Sequence, residues 1–399
     1  MKVETDRRNE FASYPKRELS FVRGMEATLW DAEGNEYIDC GASFGVGNLG
    51  HCHPEIAAAV AAQARELIHV GPVFGTAAKS KFLEKLLGVA PKNLKRAFLS
   101  NSGSEAVEAA LKFARASTGR TKIIAAMRGF HGRTMGALSA TYRKEFREGF
   151  EPLVPGFEHV PFNDVDALFG AVDTGTAAVI LEAVQGEGGI HVASDDYLAA
   201  AREVCDRTKS LLILDEVQTG LGRTGRMFAV ERWGVEPDMI ALAKSLAGGV
   251  PIGATLTTEA VERNFKGSHN STFGGNALAC AAGTAALEVI VREKLPERAE
   301  RLGQIAMERL RGLNSPIVRE VRGLGLMIGI ELKEKATPVL QDLAAKGVLA
   351  IGGGSNVVRL LPPLVIPEDQ WTYALDVLCD RLVQVATPTA AKDPVTSDG

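Results

Sequence analysis

The chain is expected to be an α/β protein, with a large domain built on a mostly parallel central sheet and a smaller α+β domain. Three observations point there. Leu211-Leu212-Ile213-Leu214-Asp215 is an unbroken apolar run that ends in an acid, the pattern of a strand buried on both faces. Before and after it, apolar runs alternate with segments of helical period, as βαβ units of a parallel sheet require. From about Glu297 onward the pattern changes to helices separated by short strands, including the hairpin-like VREVRGLGLMIGIEL. The expected divisions are 1–52 as an N-terminal arm and part of the small domain, 53–292 as the large domain, 293–388 as the C-terminal small domain, and 389–399 as a disordered tail.

Composition narrows the function classes. At 399 residues the chain is too long for one small core. Its net charge of −4 comes from dispersed residues of both signs, which gives no nucleic-acid surface, and no stretch has the apolar length of a membrane span. The opening MKVETDRRNEFASYPKRELS lacks the apolar core of a signal peptide, so a cytoplasmic protein is expected. Cys40, Cys52, Cys205, Cys280 and Cys379 lack CxxC spacing, which argues against a disulfide framework and against a zinc site. His51-Cys52-His53 lies in a GHCHP turn with no second cluster, so it reads as a structured loop, and no metal is expected.

In chain order, Ala27–Trp30 and Glu36–Cys40 flank the turn DAEGN as a β-hairpin, and glycines at 41, 45, 47 and 50 make the next stretch a loop. A helix runs from Pro54 to Leu67. The strand Arg96–Ser100 meets the helix Ala106–Ala116 at Asn101-Ser102-Gly103-Ser104-Glu105. A small-residue turn at a helix N-terminus offers N–H groups and hydroxyls to an anion, here phosphate, although such turns also serve as plain caps. Lys122–Met127 is a strand followed by RGFHGRT, a loop suited to lining a flat ring and holding a carboxylate; Phe130 by itself reads more often as core than as a stacking face. Ala177–Val184 is a buried strand leading into QGEGG, and Asp195–Lys209 is the helix that returns to Leu211. Strands are expected at Ile252–Thr258, Val348–Ile351 and Val357–Ile366, and helices at Ala277–Arg292, Glu297–Leu313, Thr337–Lys346 and Pro367–Val385.

Asp215 and Gln218 stand where the Leu211 strand stops, the edge at which open α/β sheets bind ligands. Lys244 follows a second apolar run and precedes Ala247-Gly248-Gly249. An acid able to pair with a ring nitrogen and a lysine able to form a Schiff base are the two protein groups that pyridoxal 5′-phosphate chemistry requires.

Six motifs, SNSGSEA, FHGRT, EAVQGEGG, LLILDEVQTGLGRTG, LAKSLAGG and STFGGN, occur in the order found in the class III aminotransferases of the pyridoxal-phosphate fold type I superfamily, which the chain resembles from about Tyr14 to Val385. GHCHP, FHGRT and RLLPPLVI most resemble the acetylornithine aminotransferases. The stretch AMRGFHGRTMGALSATYRKEFREGFEPLV is similar to the branch acting on ornithine or lysine derivatives held on an amino-group carrier protein.

The resemblance implies that Lys244 is the Schiff-base lysine and proton carrier, and that Asp215 pairs with the pyridinium nitrogen. It implies that Gln218 bonds the phenolic oxygen and Phe130 stacks on the ring. Ser102, Gly103 and Ser104 would hold the phosphate together with Thr272 of a second subunit, making a homodimer with shared active sites. Arg133 and Arg359 would bind substrate carboxylates, with Glu187 masking Arg359 while the ω-amino donor is bound. Phe44 stands where many relatives carry a tyrosine near the substrate; Ala183 and Ala277 replace prolines.

The implied activity is transfer of the ω-amino group of N-acetylornithine, or of a carrier-linked lysine or ornithine, to 2-oxoglutarate in arginine or lysine biosynthesis. Ornithine or 4-aminobutyrate aminotransferase, an aminomutase and a non-catalytic binding protein are the alternatives. Arg143, Lys144 and Arg147 are candidates for a basic ring that would steer an acidic carrier protein, although such a run is ordinarily a solvated helix face.

Overall fold

The computed structural model describes residues 9–13 and 18–383; most of the expected N-terminal arm and all of the tail expected to be disordered lie outside these residues. Strands β1 (Phe21–Met25), β2 (Thr28–Asp31) and β3 (Glu36–Asp39) form an antiparallel meander. The β2–β3 turn is organised by the Asp31 carboxylate, which accepts the N–H groups of Glu33 and Asn35. β1 escaped the sequence reading because FVRGM is almost wholly exposed and has no alternation.

The glycine loop expected next contains a tight turn over Ala42–Gly45, in which Ala42, Ser43 and Phe44 adopt φ of 42°, 51° and 61°. Left-handed backbone costs an L-residue about 1–2 kcal/mol, because Cβ crowds the following carbonyl. The Asp39 carboxylate holds the turn by accepting the N–H groups of Gly41 and Ala42.

The large sheet contains β4 (Arg96–Ser100), β5 (Lys122–Ala126), β6 (Phe157–Val160) and β7 (Thr176–Leu181). A side hairpin follows, of β8 (Val184–Gln185) and β9 (His191–Val192), and then β10 (Leu211–Asp215), β11 (Met239–Leu242) and β12 (Gly253–Thr257) complete the sheet. The spatial order is β4-β12-β11-β10-β7-β5-β6. β12 is antiparallel to both neighbours, and the pairs among β11, β10, β7, β5 and β6 are parallel.

Side chains alternate across the sheet as the pleat requires. Ile213, Ile180 and Ala241 pack on Val107, Ala110 and Leu111 of the helix Gly103–Thr118. Leu212, Leu214 and Leu242 face the main core, which the helices Tyr197–Thr208 and Ala277–Arg292 cover. Burial of nearly every apolar strand residue on one face or the other is the chief stabilising term.

One expected strand is corrected here. The run 177–184 stops at Leu181, because the Glu182 carboxylate turns to accept the N–H groups of Phe130 and Gly186 and the chain leaves the sheet for β8.

After the helix Leu295–Arg311 come β13 (Val318–Leu324) and β14 (Met327–Leu332), the expected hairpin, then the helix Thr337–Ala345. Two further expectations are corrected. The single strand 348–351 is two: β15 (Val348–Leu349) pairs parallel with β3, whereas β16 (Ile351–Gly353) joins a sheet of order β13-β14-β17-β16. β17 (Val357–Leu360) ends well short of Ile366, because Pro362 and Pro363 have no N–H for a ladder. The last helix is Glu368–Val383. No helix among the described residues is long and apolar enough to cross a membrane.

Candidate active site

Next to the ends of β4, β7, β10 and β11 lies a cavity of about 380 Å³. Ser102, Gly103, Ser104, Phe130, His131, Glu182, Glu187, Asp215, Gln218 and Lys244 all line it, from widely separated parts of the chain. Eight of these are residues singled out in the sequence: Ser102, Gly103, Ser104, Phe130, Glu187, Asp215, Gln218 and Lys244.

Asp215 is the last residue of β10 and is buried. Its Oδ1 accepts the Val217 N–H at 3.1 Å, and its Oδ2 is 2.8 Å from Nδ1 of the buried His131. Burial alone would lower the His131 pKa, but the Asp215 carboxylate outweighs it and holds the imidazole above its ordinary value. Lys244 comes just past β11 and opens a single 3₁₀ turn at φ 39°, a strained conformation of the kind that collects at functional sites. Its surroundings push the ammonium pKa down through desolvation, against the pull of Glu187 and Asp215.

Ser102 caps the helix Gly103–Thr118, its Oγ accepting the Glu105 N–H at 3.2 Å. The first N–H groups of a helix have no intrahelical acceptor, so this terminus supplies donors and a positive dipole end to the cavity. Gln218 donates from Nε2 to the Phe44 carbonyl at 2.9 Å, and its Oε1 is buried without a hydrogen-bond partner. A Cβ on Gly186 would collide with that oxygen, so glycine in the β8–β9 turn leaves the Gln218 amide its present place.

Glu187, in that same turn, meets Arg359 of β17. Arg359 Nη1 donates to Oε1 at 2.7 Å and Nη2 to Oε2 at 3.2 Å, while Nη1 and Nε also donate to the carbonyls of Gly186 and Gly352. Only 1 % of the Arg359 side chain is exposed. Burial would raise the Glu187 pKa, but Arg359 prevails and keeps the carboxylate below its ordinary value.

Four singled-out residues lie off the cavity lining. Arg133 is exposed, with its guanidinium 3.9 Å above the Phe146 ring and its N–H on Ser104 Oγ. Phe44 is about half exposed and meets Gln218 through its carbonyl only. Arg359 lies behind Glu187. Thr272 is exposed, next to Ser271, whose hydroxyl accepts the Asn101 side-chain amide.

Sequence reasoning missed two members. His131 was noticed only as part of a loop, although its place between Phe130 and Gly132 just past β5 was the signal. Glu182 was absorbed into a strand, where an acid inside AAVILEAV marked the interruption. Burial pushes the Glu182 carboxyl up to about 7, with His131 opposing and Asp215 adding.

In the GHCHP turn, His51 Nε2 pairs with Asp39 Oδ2 at 2.9 Å. His53 lies near Glu55 and Glu293, and Arg292 is paired with both acids.

Residues 12–382 match the family model described as aminotransferase class-III. The acetylornithine aminotransferase of Methanopyrus kandleri is 50% identical over 377 residues, covering 94% of this chain and 96% of that protein. The [LysW]-aminoadipate semialdehyde transaminase of Deinococcus radiodurans is 46% identical over 372 residues, covering 92% and 87%. Among solved structures, the ornithine aminotransferase of Toxoplasma gondii, with partial occupancy of PLP at its active site, superposes with a TM-score of 0.90 at 36% identity, covering 95% and 92%. The fold is therefore that of the pyridoxal-phosphate-dependent transferases of fold type I, as expected, and the chain belongs to the class III aminotransferases.

Proposed function

We propose that this aminotransferase moves the ω-amino group of an N-acylated ornithine or lysine to 2-oxoglutarate, releasing a semialdehyde and glutamate, with pyridoxal 5′-phosphate as cofactor. The observation that carries the reading is the Glu187–Arg359 pair beside Lys244 and Asp215. A buried arginine already matched by a carboxylate suits a donor whose reacting end is an uncharged-tailed amine. The same arginine, once released, suits the α-carboxylate of glutamate. The names of the relatives in Methanopyrus and Deinococcus point to the same two donor families.

The residues fit the cofactor. The cavity combines a helix N-terminus for a phosphate, an acid for a ring nitrogen, a lysine for an aldehyde, and a buried amide oxygen still without a partner. Pyridoxal phosphate, when bound, supplies the electron sink that lets the amine-bearing carbon lose a proton. Asp215, backed by His131, would keep the ring nitrogen protonated. Lys244, with its amine pKa lowered, would carry the proton from one carbon to the other. Phe130 would cover one ring face, and Arg133 would take the carboxylate at the far end of the donor.

The active unit in this reading is a homodimer, in which Thr272 of each subunit completes the phosphate site of the other. Val73, Phe74 and Phe273 support it, since each is more than half exposed in the single chain. The five cysteines are all free thiols, in keeping with a cytoplasmic enzyme.

The test is the absorption spectrum of the cofactor-loaded protein mixed singly with N-acetylornithine, ornithine, 4-aminobutyrate and a carrier-linked lysine. Loss of the yellow band with N-acetylornithine or with the carrier-linked lysine is the expected result and separates the free from the tethered donor. A response to ornithine or 4-aminobutyrate alone overturns the reading.

A further inference from the structure

Three arginines, Arg133, Arg143 and Arg359, are gathered beside the cavity through two shared neighbours. Arg359 is matched by Glu187. Arg133 has no carboxylate within salt-bridge distance among the described residues, and its guanidinium rests 3.9 Å from the centre of the Phe146 ring. Arg143 approaches the same ring at 5.9 Å, and the ring in turn meets Phe130 edge-on at 5.5 Å. In the sequence Arg143 stands out only as part of a basic run, and it is not among the residues that line the cavity.

Arg143 is not a solvated surface charge. Its side chain is 25 % exposed, and among the described residues its one ion pair is with Glu145, at 3.6 Å and itself 63 % exposed. Across the cleft it packs on the end of β16, where a Cβ on Gly354 would lie 2.9 Å from its Nη2. Gly354 has φ +72°, so the backbone favours glycine there, and the arginine tip lies close against it. The adjoining Gly353 accommodates Arg359 in the same way, since a Cβ there would lie 3.0 Å from Arg359 Cδ. The positive charge of Arg143 is felt by the Glu187 carboxylate, after that of Arg359 and Lys244.

Charge balance then decides. Glu187 accounts for Arg359 while the donor is bound, and the α-carboxylate of an acylated ornithine or lysine accounts for Arg133. Arg143 is left over. It is left over with 2-oxoglutarate as well, whose two carboxylates are served by Arg133 and the freed Arg359. A guanidinium held mostly out of water with only a loose partner calls for one more anion.

We propose that Arg143 is a specificity-determining residue that receives a carboxylate carried on the acyl group of the amino donor, so that acyl groups bearing a carboxylate are preferred over neutral ones. This rests on the N-acylated-donor reading of the site.

The test compares N-succinyl-L-ornithine with N-acetyl-L-ornithine, which share the reacting amine and the α-carboxylate and differ in the extra anion. kcat/KM is measured for both with the cofactor-loaded full chain at saturating 2-oxoglutarate. The wild type should favour the succinyl donor by about tenfold or more, the worth of one charge-assisted contact. Arg143→Gln should bring the ratio close to one. Arg143→Lys, which keeps the charge and loses the planar fork, should fall between. A wild-type ratio near one, or a ratio that Arg143→Gln leaves unchanged, overturns the assignment of Arg143 alone, because the enzyme still turns over acylated ornithine. Absence of turnover with both donors overturns this assignment, and the N-acylated-donor reading falls with it when the carrier-linked lysine also leaves the yellow band unchanged.

Discussion

His131 Nδ1 lies 2.8 Å from Asp215 Oδ2, and both residues are buried. The pair joins the RGFHGRT loop to the end of β10, so the acid facing the cavity has its second oxygen fixed from behind. Asp215→Asn removes the negative charge and leaves the shape. With pyridoxal phosphate bound, kcat should fall by about a hundredfold or more, in the range of losing one preorganised electrostatic group. The His131 pKa should drop as its anionic partner is lost. Single-turnover kinetics and NMR titration of the imidazole measure the two effects; an unchanged imidazole pKa would show that the contact does not govern His131.

Glu187→Gln leaves Arg359 buried without its counter-charge. The arginine is then free for an α-carboxylate throughout. The ratio of activity with glutamate to activity with the ω-amino donor should rise by about tenfold or more, as one charge-assisted contact changes hands. Half-reaction rates with each donor give the ratio, and an unaltered preference would remove Glu187 from the switching role.

Burial lowers the Lys244 pKa, so the fraction of free amine near neutral pH is larger than at an ordinary surface lysine. The sign follows from charge: desolvation disfavours the ammonium form, so nucleophilicity survives to lower pH. Apo-protein treated with limiting pyridoxal phosphate and borohydride as the pH is lowered should keep labelling Lys244 after other lysines have stopped. Peptide mapping by mass spectrometry reads this, and labelling spread evenly over lysines would contradict it.

The proposed dimer, with Thr272 completing its partner's site, predicts complementation. Lys244→Ala disables a chain's own site, whereas Thr272→Asp places a negative charge against the phosphate of its partner's site. Each variant alone should be nearly inactive. Dissociated and reassociated in equal amounts, they should recover activity from roughly a quarter of the sites, because half the dimers are hybrids with one intact site of two. No recovery, with hybrids present by native mass spectrometry, would place Thr272 in its own chain's chemistry.

Arg223 is fully buried and donates to the carbonyls of Leu326 and Pro362 and to Asn48 Oδ1. One side chain thus ties the loop after β10 to the N-terminal segment and to the C-terminal sheet. Arg223→Met strands three buried acceptors and should cost about 3 kcal/mol or more. Urea denaturation measures it; a midpoint within error of the wild type would mean that water replaces the guanidinium.

The strands and helices of the large sheet were legible because burial on both faces writes continuous apolar runs, as in β7 and β10, and helix starts carry visible caps, as at Ser102. The lining residues Lys244, Asp215, Gln218 and Glu187 were legible because each closes or follows a strand and belongs to an ordered set of motifs. What stayed hidden depends on partners distant in sequence. Glu182 looks like a strand residue until Phe130 and Gly186 are seen to donate to it. The chain's change of sheet at Ala350 is invisible in VLAIGG, because pairing of β15 with β3 is decided by residues far upstream. Arg143 is marked in the sequence only as part of a basic run, because of its two neighbours Phe146 is local and Gly354 lies more than two hundred residues away.

Gln218 grips residue 44 through the main-chain carbonyl, on a turn that Asp39 fixes through main-chain N–H groups. Neither anchor consults the side chain. The grip on this turn is therefore main-chain throughout, and it is indifferent to whether an aromatic ring or a smaller group projects from residue 44. The ring of Phe44, about half exposed, is thus left out of the contacts that hold its own backbone in place.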